Sequence, residues 1–149
     1  MSVFQIITLF NCLPSTVYIK ATSGCNLNAQ CYNTGPDSYH CGPYGVSWAY
    51  WADGGKPGFT GHSQDFEYCL KDKACAEQAV IGYMSKYGSD CNGDGVIDCN
   101  DYAAIHQTGP GNCNAAWLAK SEYWARYQLT SCGSGAPSPV GSSGKRMKK

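Results

Sequence analysis

The stretch KACAEQAVIGYMSKYG occupies residues 73–88 and carries the clearest periodic pattern in the sequence. Its apolar residues recur every three or four positions, as on one face of an α-helix. Gly88 follows the last of them and is a typical residue for ending a helix. The pattern therefore predicts an amphipathic helix whose buried stripe consists of Ala76, Ala79, Val80, Tyr83, Met84 and Tyr87.

Two more helices are predicted towards the C-terminus. One starts near Asn100, includes DYAAIHQ and stops at the Gly109-Pro110 break. The other is NAAWLAKSEYWARYQL, with Asn114 as the N-cap. A continuous helix there would place Trp117 and Trp124 two turns apart on one face.

The segment before these helices has a different character. Residues 25–63 are dense in Gly, Pro, Asn and Asp and contain short aromatic runs such as YGVSWAYW. This composition predicts loops with a small hairpin. The 149 residues thus predict one small α+β domain, mainly helical, with a loop- and hairpin-rich N-terminal lobe.

Ten cysteines indicate a disulfide framework and an oxidising compartment. No C-x-x-C pair occurs, and the shortest spacings, Cys25/Cys31 and Cys69/Cys75, do not favour a zinc site. The sequence therefore predicts secretion, and it leaves the disulfide pairing open.

Residues 1–21 are expected to be a signal peptide or an atypical N-terminus. The run VFQIITLFNCL has the length of a signal h-region, but no basic segment precedes it, and Asn11 and Cys12 interrupt it. An incorrectly assigned first exon is the alternative. The run is too short to span a bilayer, so no membrane span is predicted.

Charge divides the chain into an acidic body and a basic end. Residues 1–132 carry seven basic and eleven acidic side chains, a balance of −4, which argues against a nucleic-acid partner. The tail GSGAPSPVGSSGKRMKK, residues 133–149, holds the other four basic residues and lacks apolar periodicity. We expect it to be disordered and solvated.

Three blocks of the sequence carry a family resemblance: CGPYGVSWAYWADGGKPG, ACAEQAVIGYMSKYG and DYAAIHQTGPGNC. In this order, with cysteines between them, they resemble the invertebrate-type (i-type) lysozymes or destabilase family, in particular its insect-like branch, over residues 22–132. The resemblance implies a lysozyme-like fold, secretion, a monomer and hydrolysis of β-1,4 bonds of peptidoglycan without a required cofactor. The cysteines assigned to disulfides are Cys25, Cys31, Cys41, Cys69, Cys75, Cys91, Cys99, Cys113 and Cys132, whereas Cys12 falls outside the family register.

The acidic residues that the family uses for catalysis are replaced here. Active members resemble CICxxESGC, and the general acid of that pattern falls on Thr22, while the Glu that some relatives carry two residues earlier falls on Lys20. The second carboxylate falls on Thr34, with Asp37 close by as a substitute. Because glycoside hydrolysis uses two carboxyl groups, these replacements predict a pseudoenzyme.

The sugar-binding segments of the family are retained by position. Aromatic rings there offer flat faces to the C–H side of a sugar, but each ring can equally belong to the core. The resemblance assigns the contacts to Ser47, Trp48, Ala49, Tyr50, Trp51, Ala52, Asp53, Tyr83, Ala104, Ile105 and His106.

His106 also raises the question of isopeptidase activity, which some relatives are credited with. That reaction needs a nucleophile beside a base, and Ser38 and Ser47 are the available serines. No nucleophile motif accompanies them, so a structural or sugar-contacting role is favoured for His106. His40 and His62 indicate nothing specific.

Residues 90–101, DCNGDGVIDCND, fit the spacing of a calcium-binding loop. Asp101 has a shorter arm than the usual glutamate, and Cys91 and Cys99 tie the loop to disulfides. The alternative is a disulfide-clamped turn in which Asp101 or Asn100 caps the next helix. The candidate Ca²⁺ ligands are Asp90, Asn92, Asp94, Val96, Asp98 and Asp101.

Two functions follow from these observations. The first is a silent homologue that binds peptidoglycan or chitin-like β-1,4 amino-sugar chains. The second is an active secreted lysozyme that hydrolyses the β-1,4 bonds of bacterial peptidoglycan in antibacterial defence or digestion.

Overall fold

A computed structural model describes residues 2–12 and 17–129 of the chain. The predicted tail at residues 133–149 and the predicted disulfide cysteine Cys132 lie outside these residues. Within the described ranges, no helix has the length and apolarity needed to cross a lipid bilayer.

Seven α-helices, one 3₁₀ helix and a three-stranded sheet make up the described fold, which confirms the small, mainly helical α+β class. The strands are antiparallel in the order β1-β2-β3, with His40 opposite both Tyr32 and Ser47. The elements are α1 Val3–Cys12, α2 Val17–Ser23, β1 Tyr32–Asn33, β2 Tyr39–Cys41, β3 Val46–Ser47, α3 Trp48–Asp53, α4 Asp65–Lys71, α5 Lys73–Tyr87, α6 Cys99–Thr108, the 3₁₀ helix Leu118–Lys120 and α7 Glu122–Tyr127.

Helix α5 is the centre of the fold, and α1, α3, α4 and α6 all contact it. It begins at Lys73 because the Asp72 side chain accepts a hydrogen bond from the Cys75 backbone at 2.9 Å. The predicted apolar stripe is confirmed, since Ala76, Ala79, Val80, Tyr83 and Met84 are buried. Gly88 ends the helix, but its φ of −56° is one that any residue adopts.

The helix predicted near Asn100 is confirmed as α6, whereas the long helix predicted from Asn114 is wrong. Its sequence forms turns and the 3₁₀ helix, and α7 starts separately because Ser121 caps it through the Trp124 backbone. Trp117 and Trp124 therefore do not share one helical face. Trp117 is 52% exposed, whereas Trp124 packs against the core.

The run around Trp48 is a second correction. The predicted small hairpin exists, but it uses β1, β2 and β3, and WAYWAD forms helix α3. The Ser47 side chain accepts from the Tyr50 backbone and so caps this helix. The helix buries Tyr50 and Trp51 and leaves Trp48 exposed.

Helices α3 and α5 meet through two glycines. A β-carbon at Gly82 would lie 2.1 Å from the carbonyl oxygen of Gly54, and one at Gly54 would lie 2.4 Å from the carbonyl oxygen of Ala79. No side chain fits between backbones this close. The absence of side chains at these two positions therefore fixes the distance between the helices.

Disulfides connect the outer elements to this core, as the cysteine count predicts. Described pairs are Cys12–Cys99, Cys31–Cys41, Cys69–Cys75 and Cys91–Cys113, and Cys25 is also disulfide-bonded. The omission of Cys12 from the predicted set was wrong, because this residue bonds α1 to the start of α6.

Helix α1 lies against α5 and α6. Leu9 is fully buried, and the Tyr102 hydroxyl donates a hydrogen bond to the Gln5 carbonyl at 3.3 Å. The assignment of residues 1–21 to a signal peptide or atypical N-terminus stays a prediction.

Asp65 organises the loop that enters α4. Its carboxylate accepts hydrogen bonds from the Thr60 backbone at 2.7 Å and the Thr60 hydroxyl at 2.7 Å, and from the backbones of Gly61 at 2.9 Å and His62 at 3.1 Å. These bonds, those of Thr60 foremost, hold the pKa of Asp65 below its usual value of 3.8. The ionised carboxylate is thus part of the folded structure.

We expect Gly82→Ala to destabilise the protein by about 1–3 kcal/mol, the usual cost of overpacking. Helix propensity alone would change stability in the opposite direction, because alanine is the better helix former. The measurement is the free energy of unfolding in guanidinium chloride, with Ser85→Ala on the exposed part of α5 as the control. A Gly82→Ala protein as stable as wild type would contradict the close packing of α3 and α5.

Asp65→Asn should lower stability at neutral pH and weaken the loss of stability in acid. Because the folded pKa of Asp65 is lowered, its contribution is complete above the unfolded pKa and disappears as the pH falls through the folded pKa. The measurement is the denaturation midpoint of wild type, Asp65→Asn and the control variant at several pH values from 7 to 2, all at the same ionic strength. Asp37→Asn is the matched control, since Asp37 is an exposed turn residue. Parallel wild-type and Asp65→Asn curves would refute the role assigned to this carboxylate.

Candidate functional site

A cavity of about 380 Å³ opens between the sheet, α2 and α7. Helix α7 packs against α2, which brings the end of the described chain next to residues 17–23. We call this space the threonine cavity. Its described lining consists of Ala21, Thr22, Tyr32, Thr34, His40, Gly45, His106, Gln107, Glu122, Tyr123 and Arg126.

The two positions that the family resemblance assigns to catalytic carboxylates both line the threonine cavity. Thr22 lies on α2, and its hydroxyl donates a hydrogen bond to the Pro43 carbonyl at 2.6 Å. Thr34 lies in the turn after β1, and its hydroxyl bonds to that of Ser38. The structure thus brings the predicted positions together, with alcohols in place of acids. The side chain of Lys20 is outside the description.

One acidic side chain, Glu122, lines the cavity among the described residues. Its carboxylate forms an ion pair with Arg126 one turn further along α7. Asp37, the predicted substitute, does not line the cavity: it sits in the β1–β2 turn with a φ of 56°, and it is exposed. The cavity therefore lacks a described pair of carboxyl groups.

Asp53 also lies away from this cavity. Its carboxylate accepts from Lys86 Nζ at 3.1 Å and from the Tyr87 hydroxyl at 3.0 Å. These two bonds, that of Lys86 first, hold the pKa of Asp53 below its usual range. Asp53 thus connects the end of α3 to the end of α5.

His106 is held between two parts of the N-terminal lobe. Its Nε2 lies 2.8 Å from the Tyr44 carbonyl oxygen, which can only accept, so Nε2 carries the hydrogen. Its Nδ1 lies 2.9 Å from the Tyr50 hydroxyl and accepts from it in the neutral ring. Burial lowers the pKa of His106 to about 4. This arrangement fits the predicted structural role better than that of a base.

The serines considered for isopeptidase chemistry have other partners. Ser38 bonds to Thr34, and Ser47 caps α3. His106 points its Nδ1 at Tyr50 and its Nε2 at Tyr44. The described hydrogen bonds thus provide no serine–histidine pair.

Of the predicted sugar contacts, His106 lines the threonine cavity and the others lie elsewhere. Ala104 is 4% exposed and Ile105 is fully buried. Their assignment as sugar contacts was wrong, because these two residues of α6 face the core of the protein. Tyr50 stacks on Tyr83 with ring centroids 3.6 Å apart, and both are buried, as is Trp51. The predicted residues that remain at least partly open to solvent are Ser47, Trp48, Ala49, Ala52 and Asp53.

The calcium-like loop is a capping turn. Asp98 is the N-cap of α6, and Asp101 completes a capping box. Asp101 is 1% exposed, and its two oxygens accept from the backbones of Cys91 and Asp98, each at 2.8 Å. With both oxygens directed at backbone amides, Asp101 does not fit the role of the last ligand.

The remaining candidate ligands of this loop also bond to its own backbone. Asp90 accepts from Gly93 and Gly95, each at 2.8 Å, and Asp94 accepts from Val96 at 2.9 Å. In the part of the chain that the structure describes, no three acidic, cysteine or histidine side chains form a metal site. The expected capping turn is therefore present, with Asp98 as the N-cap instead of Asp101 or Asn100.

Sequence reasoning missed Glu122, Arg126, Gln107, Tyr32 and His40 as cavity residues. The spacing of Glu122 and Arg126 signals an ion pair on a helix. Their position opposite Thr22 depends on how α7 packs against α2, and no local pattern encodes that packing.

Known proteins resemble this chain in sequence and in structure. A family model described as Destabilase matches residues 10–132. The lysozyme of Magallana gigas is 32% identical over 114 residues, covering 72% of this chain and 75% of that protein. Lysozyme 1 of Crassostrea virginica is also 32% identical over 114 residues, but the match covers 56% of its length. None of these matches tests the insect-like branch.

Solved structures show the same likeness. A crystal structure of Tapes japonica lysozyme has a TM-score of 0.62 at 30% identity and covers 78% of this chain and 85% of that one. A Meretrix lusoria lysozyme, solved in complex with Aeromonas hydrophila PliI, has a TM-score of 0.62 at 29% identity with the same coverage.

We expect stability to fall by roughly 3 kcal/mol between pH 6.5 and pH 4 through His106 alone. The sign follows from the lowered pKa: the unfolded chain takes up a proton in this window and the folded protein does not. The measurement is the denaturation midpoint at several pH values for wild type and His106→Gln, which cannot titrate. If both proteins lose stability equally over this window, His106 is not held neutral by the fold.

Proposed function

Because the chain belongs to the destabilase family of invertebrate-type lysozymes, we propose that it is a secreted protein that binds peptidoglycan or chitin-like β-1,4 amino-sugar chains without hydrolysing them. The observation that carries this proposal is the lining of the threonine cavity. Thr22 and Thr34 occupy the family's acid and nucleophile positions, and both face the cavity.

The loss of the reaction follows from the chemistry of glycosidic bonds. One carboxyl group has to protonate the leaving oxygen, and another has to stabilise or trap the oxocarbenium-like sugar. A threonine hydroxyl does neither near neutral pH. Both hydroxyls are also already hydrogen-bonded, Thr22 to Pro43 and Thr34 to Ser38.

Glycan binding is supported by what the cavity retains. Its volume lies in the usual range of small-molecule sites. Its described lining combines the Tyr32 ring with hydroxyl, amide and imidazole groups, which suit the hydroxyl and acetamido groups of an amino sugar. Secretion, an antimicrobial role and a monomeric state are part of this proposal. The described disulfides support secretion.

The second candidate function is that of an active lysozyme, which the names of the relatives favour. Glu122 supports this second candidate, because it brings one carboxyl group to the cavity. A single carboxyl group cannot fill both roles in the reaction. Hydrolysis here would require a second acid from outside the described lining.

We expect the folded wild-type protein to bind chitotriose and to leave a Gram-positive cell-wall suspension turbid. Gln107→Ala should weaken chitotriose binding severalfold, because this exposed amide lines the cavity. Gln128→Ala changes an exposed glutamine that caps the end of α7 outside the described cavity lining, so this matched control should bind as wild type does. The measurement is isothermal titration calorimetry beside turbidity in the same buffer.

Turbidity clearance by the wild type would overturn the proposal, and its loss in Glu122→Gln or Asp37→Asn would identify the acid. The double variant Thr22→Glu, Thr34→Asp tests whether the missing carboxyl groups account for the absence of hydrolysis. It should acquire measurable clearance, since it restores both carboxyl groups.

A further inference from the structure

Arg126 is an incompletely bonded charged group in the wall of the threonine cavity. Its Nη2 donates to Glu122, but its Nε is shielded from solvent and has no acceptor among the described residues. A guanidinium group has five N–H donors arranged in a planar fork. A buried donor without an acceptor costs stability. A ligand that supplies an acceptor to the guanidinium would therefore be stabilising.

We propose that Arg126 makes this cavity selective for sugars that carry a carboxylate over neutral sugars. The inference rests on the proposed glycan-binding function and narrows its ligand class. Glu122 is the internal carboxylate that holds the guanidinium in the absence of ligand. An incoming carboxylate takes its place and bonds to Nη2 and Nε side by side.

Displacement of Glu122 needs little free energy. Its side chain is 67% exposed, whereas that of Arg126 is 27% exposed, so the acid can move into water while the base stays in place. Exposed ion pairs one helical turn apart contribute little to stability. The fixed partner is therefore the arginine, and the exchangeable partner is the glutamate.

The replacements at positions 22 and 34 act in the same direction. In a catalytic cavity, the ionised carboxylate at the nucleophile position, here position 34, would repel an acidic group on the ligand across a short distance. Here both positions carry neutral hydroxyls, and Arg126 is the one arginine or lysine side chain in the described lining. The threonine at position 34 thus also removes the repulsion of an anionic ligand.

Arginine suits this role better than lysine would. Its fork bonds a carboxylate through two parallel hydrogen bonds, whereas an ammonium group is a single point of charge. The same carboxylate chemistry occurs in the lactyl group of N-acetylmuramic acid and in uronic acids. The proposed ligand is therefore an amino-sugar chain that carries a carboxylate. The experiment below distinguishes muramic acid from uronic acid as the source of that carboxylate.

The test measures the affinity of the full, oxidatively folded chain for three tetrasaccharides by calorimetry. They are chitotetraose, a peptidoglycan tetrasaccharide containing N-acetylmuramic acid, and a hyaluronan tetrasaccharide containing glucuronic acid. We expect at least one acidic tetrasaccharide to bind tenfold or more tightly than chitotetraose, and the one preferred identifies the source of the carboxylate. Equal affinities for all three would overturn the inference and leave the proposed glycan binding standing, whereas binding of none would overturn both.

Variants assign the selectivity to the ion pair. Arg126→Gln should remove the preference, so that within this variant the acidic tetrasaccharide binds no more tightly than chitotetraose. Glu122→Gln should raise the affinity for the acidic tetrasaccharide severalfold, because the internal competitor loses its charge. Lys73→Gln removes the equivalent i,i+4 pair with Glu77 on α5, outside the cavity, and is the matched control.

Two results would refute the role of Arg126. An equal loss of affinity for all three tetrasaccharides in Arg126→Gln would mean that the arginine only supports the cavity wall. An unchanged or lower affinity in a folded Glu122→Gln protein would mean that Glu122 does not compete with the ligand.

Discussion

The close contact between α3 and α5 is the constraint on which the remaining structure depends. Gly54 and Gly82 let the two backbones meet without side chains between them. That distance lets the Tyr50 ring lie on Tyr83 at 3.6 Å. Tyr50 in turn bonds His106, and His106 bonds the Tyr44 carbonyl, which positions one wall of the threonine cavity. A contact in the core thus determines the shape of a surface site through three aromatic or imidazole rings.

The parts of the fold that sequence patterns predicted are those that local forces determine. Helix α5 has a continuous apolar stripe with an Asp72 cap, and α6 ends at a Gly-Pro break, so both could be found without tertiary information. The helix expected from Asn114 failed because a serine cap inside an otherwise helical pattern restarts the chain at Ser121. The run WAYWAD suggested a strand through its aromatic content, but a serine cap and packing on α5 override that propensity.

The candidate site was predicted in part. Family register placed Thr22 and Thr34 in one site, although they lie on different elements, and the structure brings both to one cavity. The sequence left open whether Tyr50 and Trp51 would be buried or exposed, since a helix and a strand expose different sides of the same run. Glu122 and Arg126 depend on the packing of α7 against α2, about a hundred residues apart in sequence. Contacts of that separation follow from the assembled fold and not from spacing.

The proposed loss of the family's reaction is compatible with a stable fold, because threonines stand at the two positions that the resemblance assigns to acids. Two carboxyl groups in a partly closed cavity repel each other and lose solvation, and an enzyme tolerates this cost for the sake of its chemistry. In this chain, the Thr22 hydroxyl bonds the Pro43 carbonyl and the Thr34 hydroxyl bonds Ser38, so these polar groups are satisfied within the protein. Such a cavity needs no substrate to be stable. Among the described residues, Nε of Arg126 is the buried side-chain polar atom that lacks a hydrogen-bond partner, and that is where a ligand has most to contribute.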